Sequence, residues 1–331
     1  MNRALNKLKA AAQPIKEVEP NIFVLNPLVI PIHGVPWMRT VNRELLRLQV
    51  LRAMHKLRFQ RPINWVFNPA AGFIAGALKE ALVIYYCVDE YTAFTGVATS
   101  AILALEEQLL RRADLVVVSA ERLYKNKAHV NPRTVIIRHG VDYDHFRKAL
   151  APETQVPAEI RNLPHPVIGY FGLMAEDWID IDLMVHVAKH FSSGSMVLLG
   201  KVTTDISRLT ALPNVHVLGR KEFSELPAYS KGFDVAMLPF PISEVTLNAN
   251  PLKVREYLAA GLPVVSTKIP EVEVLGPLCR IAGNKEEFVT QIEAALQDPG
   301  PKAERSETMK NETWEGRLDE VRRHLVSFNL R

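Results

Sequence analysis

Short apolar runs of four to eight residues, rich in valine, isoleucine and leucine, recur between stretches whose apolar positions repeat at helical spacing. That alternation predicts an α/β chain built on parallel sheets, in which strands are covered on both faces by the helices that connect them. In the first half the runs at 22–25, 64–67, 82–88, 115–119 and 135–138 are expected strands. A second series follows at 167–171, 196–199, 215–218, 235–238, 264–266 and 278–281, enough for a six-stranded doubly wound unit. Between the two lies a stretch containing Pro152, Pro157, Pro164 and Pro166, which places a linker near 150–166.

The pattern therefore predicts two Rossmann-like domains: residues 1–163, with a small first sheet, and residues 164–310. Residues 311–331 form a terminal helix through Trp314, Leu318, Val321 and Leu325, expected to cross back over the domain junction. A chain of 331 residues is long enough for about two domains at roughly 150 residues each. No apolar run approaches the roughly 18 residues needed to cross a bilayer, and residues 1–14 lack a signal-peptide core. With only Cys87 and Cys279, neither a disulfide framework nor a thiolate zinc site is available, which agrees with a cytoplasmic setting.

The net charge of +4 conceals an asymmetry. Residues 1–61 hold 11 lysines and arginines against three glutamates, a balance of +8, leaving 29 basic against 33 acidic residues downstream. Within that head, 41–59 sets Leu45, Leu48, Leu51 or Arg52, and Met54 or His55 at helical intervals, while Arg39, Arg43, Arg47, Arg52, Lys56, Arg58 and Arg61 crowd the other positions. A basic amphipathic helix suits an anionic membrane surface along 39–61, or equally a Leu face packed on a sheet with arginines in solvent. Nucleic acid is not expected, since aromatic interleaving and known nucleic-acid motifs are missing.

In open α/β sheets ligands bind beyond the carboxyl ends of strands, so the residues following each strand carry the chemistry. After the strand at 235–238 comes a loop with Glu244 and Asn248, then Asn250-Pro251, read as an N-cap followed by proline at the first helical position, with Gly261 as the left-handed stop. A helix start there favours phosphate, and Lys253 adds a full charge in the first turn. Glu256, one turn on, suits ribose hydroxyls; the plain alternative is a capped helix with a surface Lys/Glu pair. Gly169 and Gly172 close the strand at 167–171, where a glycine admits close approach of a ligand or simply makes a turn. Lys201, Arg220 and Lys221 lie just past strand ends, where they could hold the donor's phosphate or line its base pocket, or simply be solvated loop residues. In the first half, Asp89 and Glu90 follow an apolar strand, placing Asp89 as a candidate general base or a turn cap. His139-Gly-Val-Asp142 reads mainly as a structural turn, with contact between His139 and a ligand as the alternative. Asp180-Ile-Asp182 reads as helix N-terminal carboxylates rather than metal ligands.

The run Glu256-Tyr-Leu-Ala-Ala-Gly-Leu-Pro-Val-Val265 resembles the donor-site signature of GT-B glycosyltransferases of the family four type, in its bacterial polysaccharide and teichuronic-acid branch. Weaker matches follow in order over 80–267, among them Tyr85-Tyr-Cys-Val-Asp-Glu90, His139-Gly-Val-Asp142, Ile168-Gly-Tyr-Phe-Gly172 and Asn250-Pro-Leu-Lys253, and 311–317 resembles the terminal crossing helix. The resemblance implies a GT-B fold with two domains facing across a cleft, a nucleotide-sugar donor and a hydroxyl acceptor, free or lipid-linked. It implies sugar transfer with retention, without metal or cofactor, in cell-surface polysaccharide or glycolipid synthesis by an enzyme peripheral to the inner membrane face. The diphosphate would rest on Lys253 and the Asn250 helix start, and the ribose on Glu256. Two departures stand out. The carboxylate expected eight residues before Glu256 is Asn248, with Glu244 as a substitute, and Asp89 stands where the family often carries histidine. They keep two rivals open: a non-catalytic nucleotide-sugar-binding or scaffolding subunit, and a GT-B sugar epimerase. The first domain is expected to lack the opening strand and glycine-rich loop of its type.

Overall fold

The computed structural model describes residues 15–28, 30 and 36–328, with only the backbone of 36–39. The expectation for residues 1–14 and the side chain of Arg39 lie outside the described residues. Two compact units result. Of the described residues, one comprises those through Cys87 together with 98–117 and 127–135; the other comprises 88–97, 118–126 and 136–328. The segments bearing Asp89 and Arg122 thus cluster with the second unit.

In the first unit β1 (Ile15–Glu19) and β2 (Ile22–Leu25) form an antiparallel hairpin. Its turn is held by the Asn21 amide donating to Glu17 Oε1 at 3.1 Å. This corrects the expectation for 22–25, which pairs in this separate hairpin rather than in the main sheet. The main sheet has four strands in the order β3 (Ile63–Val66), β4 (Leu82–Cys87), β5 (Leu115–Val118), β6 (Thr134–Ile136). β4 and β5 are almost wholly buried, whereas β3 at the edge leaves Ile63 exposed. The basic helix runs from Pro36 to Lys56. Its expected apolar stripe is not a buried face: Leu45 and Leu51 are half-buried, Leu48 is exposed, and Ala53 is the buried residue over 40–56.

The second unit holds β7 (Val167–Phe171), β8 (Ser195–Leu199), β9 (Val215–Gly219), β10 (Val235–Leu238), β11 (Val264–Thr267) and β12 (Cys279–Ala282), in the parallel order β12-β11-β10-β7-β8-β9. The order reverses at β7, which is flanked by β8 on one side and β10 on the other. Its core is one continuous cluster that includes Ile168, Tyr170, Met196, Phe233, Met237, Tyr257 and Phe288. The Trp314–Leu325 helix is present, with the Thr313 hydroxyl capping it. Its start is tied down by the Val141 amide donating to Glu312 O at 2.8 Å, and a Cβ on Gly140 would meet Trp314 N at 2.5 Å. Glycine at 140 is thus required by close packing.

Candidate functional site

The topological switch between β7 and β10 leaves a crevice at their carboxyl ends, where neighbouring connections depart to opposite faces of the sheet. The Leu252–Ala259 helix delivers Lys253 to this point. Lys253 Nζ stands 5.9 Å from the centre of the Phe240 ring, just past β10. Its aliphatic end lies over Gly172, just past β7, where an added Cβ would fall 1.9 Å from Lys253 Cε. Gly172 also has φ +151, a conformation other residues rarely adopt. The helix is pinned to the same strand end by Tyr257, whose hydroxyl accepts the Phe171 N–H at 2.9 Å.

Burial lowers the Lys253 pKa, opposed by the Glu256 charge. The Glu256 carboxyl is pushed up to about 7 by burial, against the pull of Lys253. Both side chains keep partial solvent access. They form a recessed Lys/Glu pair whose charged forms are poorly solvated, an arrangement that gains from an anionic and hydroxyl-rich ligand. The helix start departs from the expectation in its cap. The cap position is Pro251, not Asn250, and it supplies no side-chain acceptor for the first-turn amides.

Asn250 is instead buried in a polar network. Its Nδ2 donates to Glu271 Oε2 at 2.9 Å, and its Oδ1 accepts from Arg255 Nη1 at 2.9 Å. Its carbonyl takes the Nδ1 proton of His139 at 2.9 Å. Burial lowers the His139 pKa to about 4, so the ring is neutral and the carbonyl partner fixes the proton on Nδ1. His139 therefore holds a loop rather than a ligand.

Glu244 opens the short Glu244–Leu247 helix, capped by Ser243. Its carboxylate is exposed and pairs with Arg122 at 3.1 Å. Asn248 Nδ2 donates to the Glu244 carbonyl at 2.7 Å and approaches Glu244 Oε2 at 3.3 Å, while Asn248 Oδ1 is buried with no hydrogen-bond partner. The expected pair is thus brought together, with Glu244 the member that reaches solvent.

Asp89 follows β4 half-buried, and burial pushes its carboxyl up to about 6. Its strand end is fastened by the Ser119 hydroxyl donating to Val88 O at 2.9 Å. Aromatic contacts fix the rest of this segment: Phe94 lies 6.0 Å from Trp178, which lies 5.3 Å from Phe240.

The remaining expectations have the following places. Gly169 is a packing glycine, because a Cβ there would strike the Phe233 ring at 2.1 Å. Lys221 is committed to Glu159 and lies over the Tyr229 ring. Lys201 and Arg220 are exposed. Asp180 caps the Ile181–His190 helix through the Leu183 amide, and Asp182 pairs with Arg208. Among the described residues no group of three or more His, Cys, Asp and Glu is arranged to hold a metal ion. Sequence reasoning missed Arg122, Arg255 and Glu271, which lie outside the motifs; the only local signal was the Pro270-Glu271 helix start.

Residues 165–298 match the family described as "Glycosyl transferases group 1". Over 228 residues the chain is 26% identical to TuaH, a glycosyltransferase named for teichuronic acid biosynthesis in Bacillus subtilis strain 168. The match covers 64% of this chain and 56% of that protein, so the chain spans little more than half of its curated relative. Among solved structures, sucrose-phosphate synthase from Thermosynechococcus elongatus superposes with a TM-score of 0.69 at 17% identity, covering 98% of this chain and 92% of that one. Anabaena HepE, solved with UDP and glucose, gives 0.68 at 14% identity over 90% and 84%. The chain has the GT-B fold, and its residues 165–298 are similar to the group 1 glycosyltransferases.

Proposed function

We propose that this protein transfers a sugar from a nucleotide-sugar to a hydroxyl acceptor in cell-surface polysaccharide or glycolipid synthesis. The observation that carries this reading is the Lys253/Glu256 pair at the β7/β10 switch point, with Gly172 left bare beneath the lysine. The donor diphosphate rests on Lys253 and the uncapped start of the Leu252–Ala259 helix, the ribose on Glu256, and Arg220 and Lys201 line the approach. The bond between the anomeric carbon and the diphosphate oxygen breaks, and the nucleoside diphosphate leaves with the electron pair. The acceptor oxygen bonds to the anomeric carbon and its proton passes to Asp89. Lys253 and the helix dipole oppose the charge gathering on the leaving group, where stabilisation lowers the barrier most. Glu244, steadied by Asn248 and Arg122, faces the transferred sugar. Transfer with retention, without metal, follows the similarity to group 1 enzymes; the UDP and glucose bound to HepE support a nucleotide-sugar donor.

The acceptor is lipid-linked in this reading, and the basic Pro36–Lys56 helix meets an anionic membrane surface. A non-catalytic nucleotide-sugar-binding role is favoured by one observation, the buried Asn248 in place of a carboxylate. Calorimetry and donor turnover with a panel of nucleotide-sugars separate the two. Transfer is expected, and Lys253→Ala lowers it by orders of magnitude, while Lys221→Ala, already committed to Glu159, serves as a control near the wild-type rate. Binding without turnover favours the second reading, and an undiminished rate in Lys253→Ala overturns the assignment of the site.

A further inference from the structure

Two of the groups assigned above, Asp89 and Lys253, sit on different segments, yet both segments converge on one buried side chain. Glu271 is 2% exposed and its carboxylate accepts three hydrogen bonds. They come from the Glu121 amide to Oε1 at 2.8 Å, Arg138 Nε to Oε2 at 2.7 Å, and Asn250 Nδ2 to Oε2 at 2.9 Å. Two residues before Glu121, the Ser119 hydroxyl holds Val88 O, next to Asp89. Two residues after Asn250, the Leu252–Ala259 helix begins, with Lys253 in its first turn. One residue beyond Glu121, Arg122 pairs with Glu244. A carboxylate this buried is costly unless its lone pairs are satisfied, and here three donors from separate segments satisfy them.

We propose that Glu271 is a positioning residue that fixes the spacing between the Asp89-bearing strand end and the Lys253-bearing loop by anchoring both to one carboxylate. The inference rests on the reading of Asp89 and Lys253 given above. Glutamine is isosteric but has a single accepting oxygen for three facing donors, so Glu271→Gln must release at least one segment. Lys253 keeps its seat over Gly172 because Tyr257 pins its helix independently. Ground-state donor binding then survives, whereas the alignment of donor with acceptor base does not.

The test combines kinetics, calorimetry and hydrogen exchange on the full chain. In Glu271→Gln, transfer kcat is expected to fall at least about 30-fold, with UDP affinity within about threefold of wild type. Amide protection is expected to fall in 119–122, in 250–254, or in both. The double variant Asn250→Asp with Glu271→Gln exchanges the carboxylate and the amide, restoring the 250–271 hydrogen bond and the net charge. It is expected to recover at least about tenfold in kcat, the non-additivity of a direct pair. A folded Glu271→Gln with unchanged kcat overturns the proposal. So does unchanged protection in both segments, or a fall in kcat matched by equal losses of UDP affinity and of Tm. Hydrogen exchange reads the anchor even if the wild-type chain transfers no sugar, so failure of the anchor is distinguished from failure of the functional reading.

Discussion

Lys253 lies directly over Gly172, so close that a single methyl group on the glycine would overlap the lysine Cε. The lysine's position is therefore a property of two residues separated by 81 positions in sequence. Gly172→Ala is expected to displace Lys253 and to strain a backbone at φ +151. Transfer should drop to near the level of Lys253→Ala, and the double variant should be no worse than either single one, because both changes remove the same interaction. Steady-state kinetics of the three variants check this. Additive losses would separate the roles of the two residues.

A second expectation concerns Asp89, whose carboxyl is raised to about 6 from its ordinary value near 4. As a base it must be ionised, so transfer is expected to rise with pH through about 6, and Asp89→Asn should abolish that limb along with most of the rate. Stability runs the other way. The folded state holds the proton more tightly than the unfolded chain, so this contribution is full below about 4 and is lost as pH rises through about 6. The Tm of Asp89→Asn relative to wild type should therefore increase from pH 4 to pH 8, measured by calorimetry. A difference that is flat or falling with pH would remove the burial argument.

The second sheet was legible because each of its strands is a short apolar run closed by a turn residue, and all six expected strands appear within a residue or so of their expected bounds. β1 was not foreseen, because its Lys16, Glu17 and Glu19 alternate with apolar residues on a hairpin that is exposed almost throughout. Asn250-Pro251 carries the local signature of a helix cap, but partners distant in sequence decide its role. Glu271 and His139 claim the asparagine, and the helix starts later. Likewise Gly169 and Gly172 look alike in sequence. One is bare because Phe233 packs on it, the other because Lys253 does, and only tertiary contact tells them apart.

The first unit has its own buried polar knot. Glu106, 1% exposed, receives Lys127 Nζ at 2.7 Å and the Tyr85 hydroxyl at 2.7 Å. Lys127→Met leaves the Glu106 charge uncompensated, and breaking a buried pair from one side costs about 3–5 kcal/mol. The double change with Glu106→Gln should recover part of that loss, since the stranded charge is gone. Urea denaturation followed by tryptophan fluorescence measures both. A single variant as stable as wild type would show that the pair contributes little.

The last expectation concerns the basic head. On the Pro36–Lys56 helix, the turn beyond it and the start of β3, Arg43, Arg52, Lys56, Arg58 and Arg61 are exposed, as are Leu48, Phe59 and Ile63. Exposed leucine and phenylalanine beside arginine suit the interface of an anionic bilayer, where the apolar groups reach the acyl boundary and the cations meet headgroups. Each lysine or arginine near such a surface contributes about 1 kcal/mol, attenuated over about 10 Å in 0.1 M salt. Co-sedimentation with vesicles containing phosphatidylglycerol should therefore show binding that weakens as salt rises, with little binding to purely zwitterionic vesicles. Arg52→Glu with Lys56→Glu should weaken it at least tenfold, and Leu48→Ser with Phe59→Ser should weaken it while leaving the salt dependence in place. Equal binding to both vesicle types would assign the charge to another partner, and loss of binding in the charge variant alone would leave the apolar residues as a surface that the bilayer does not cover.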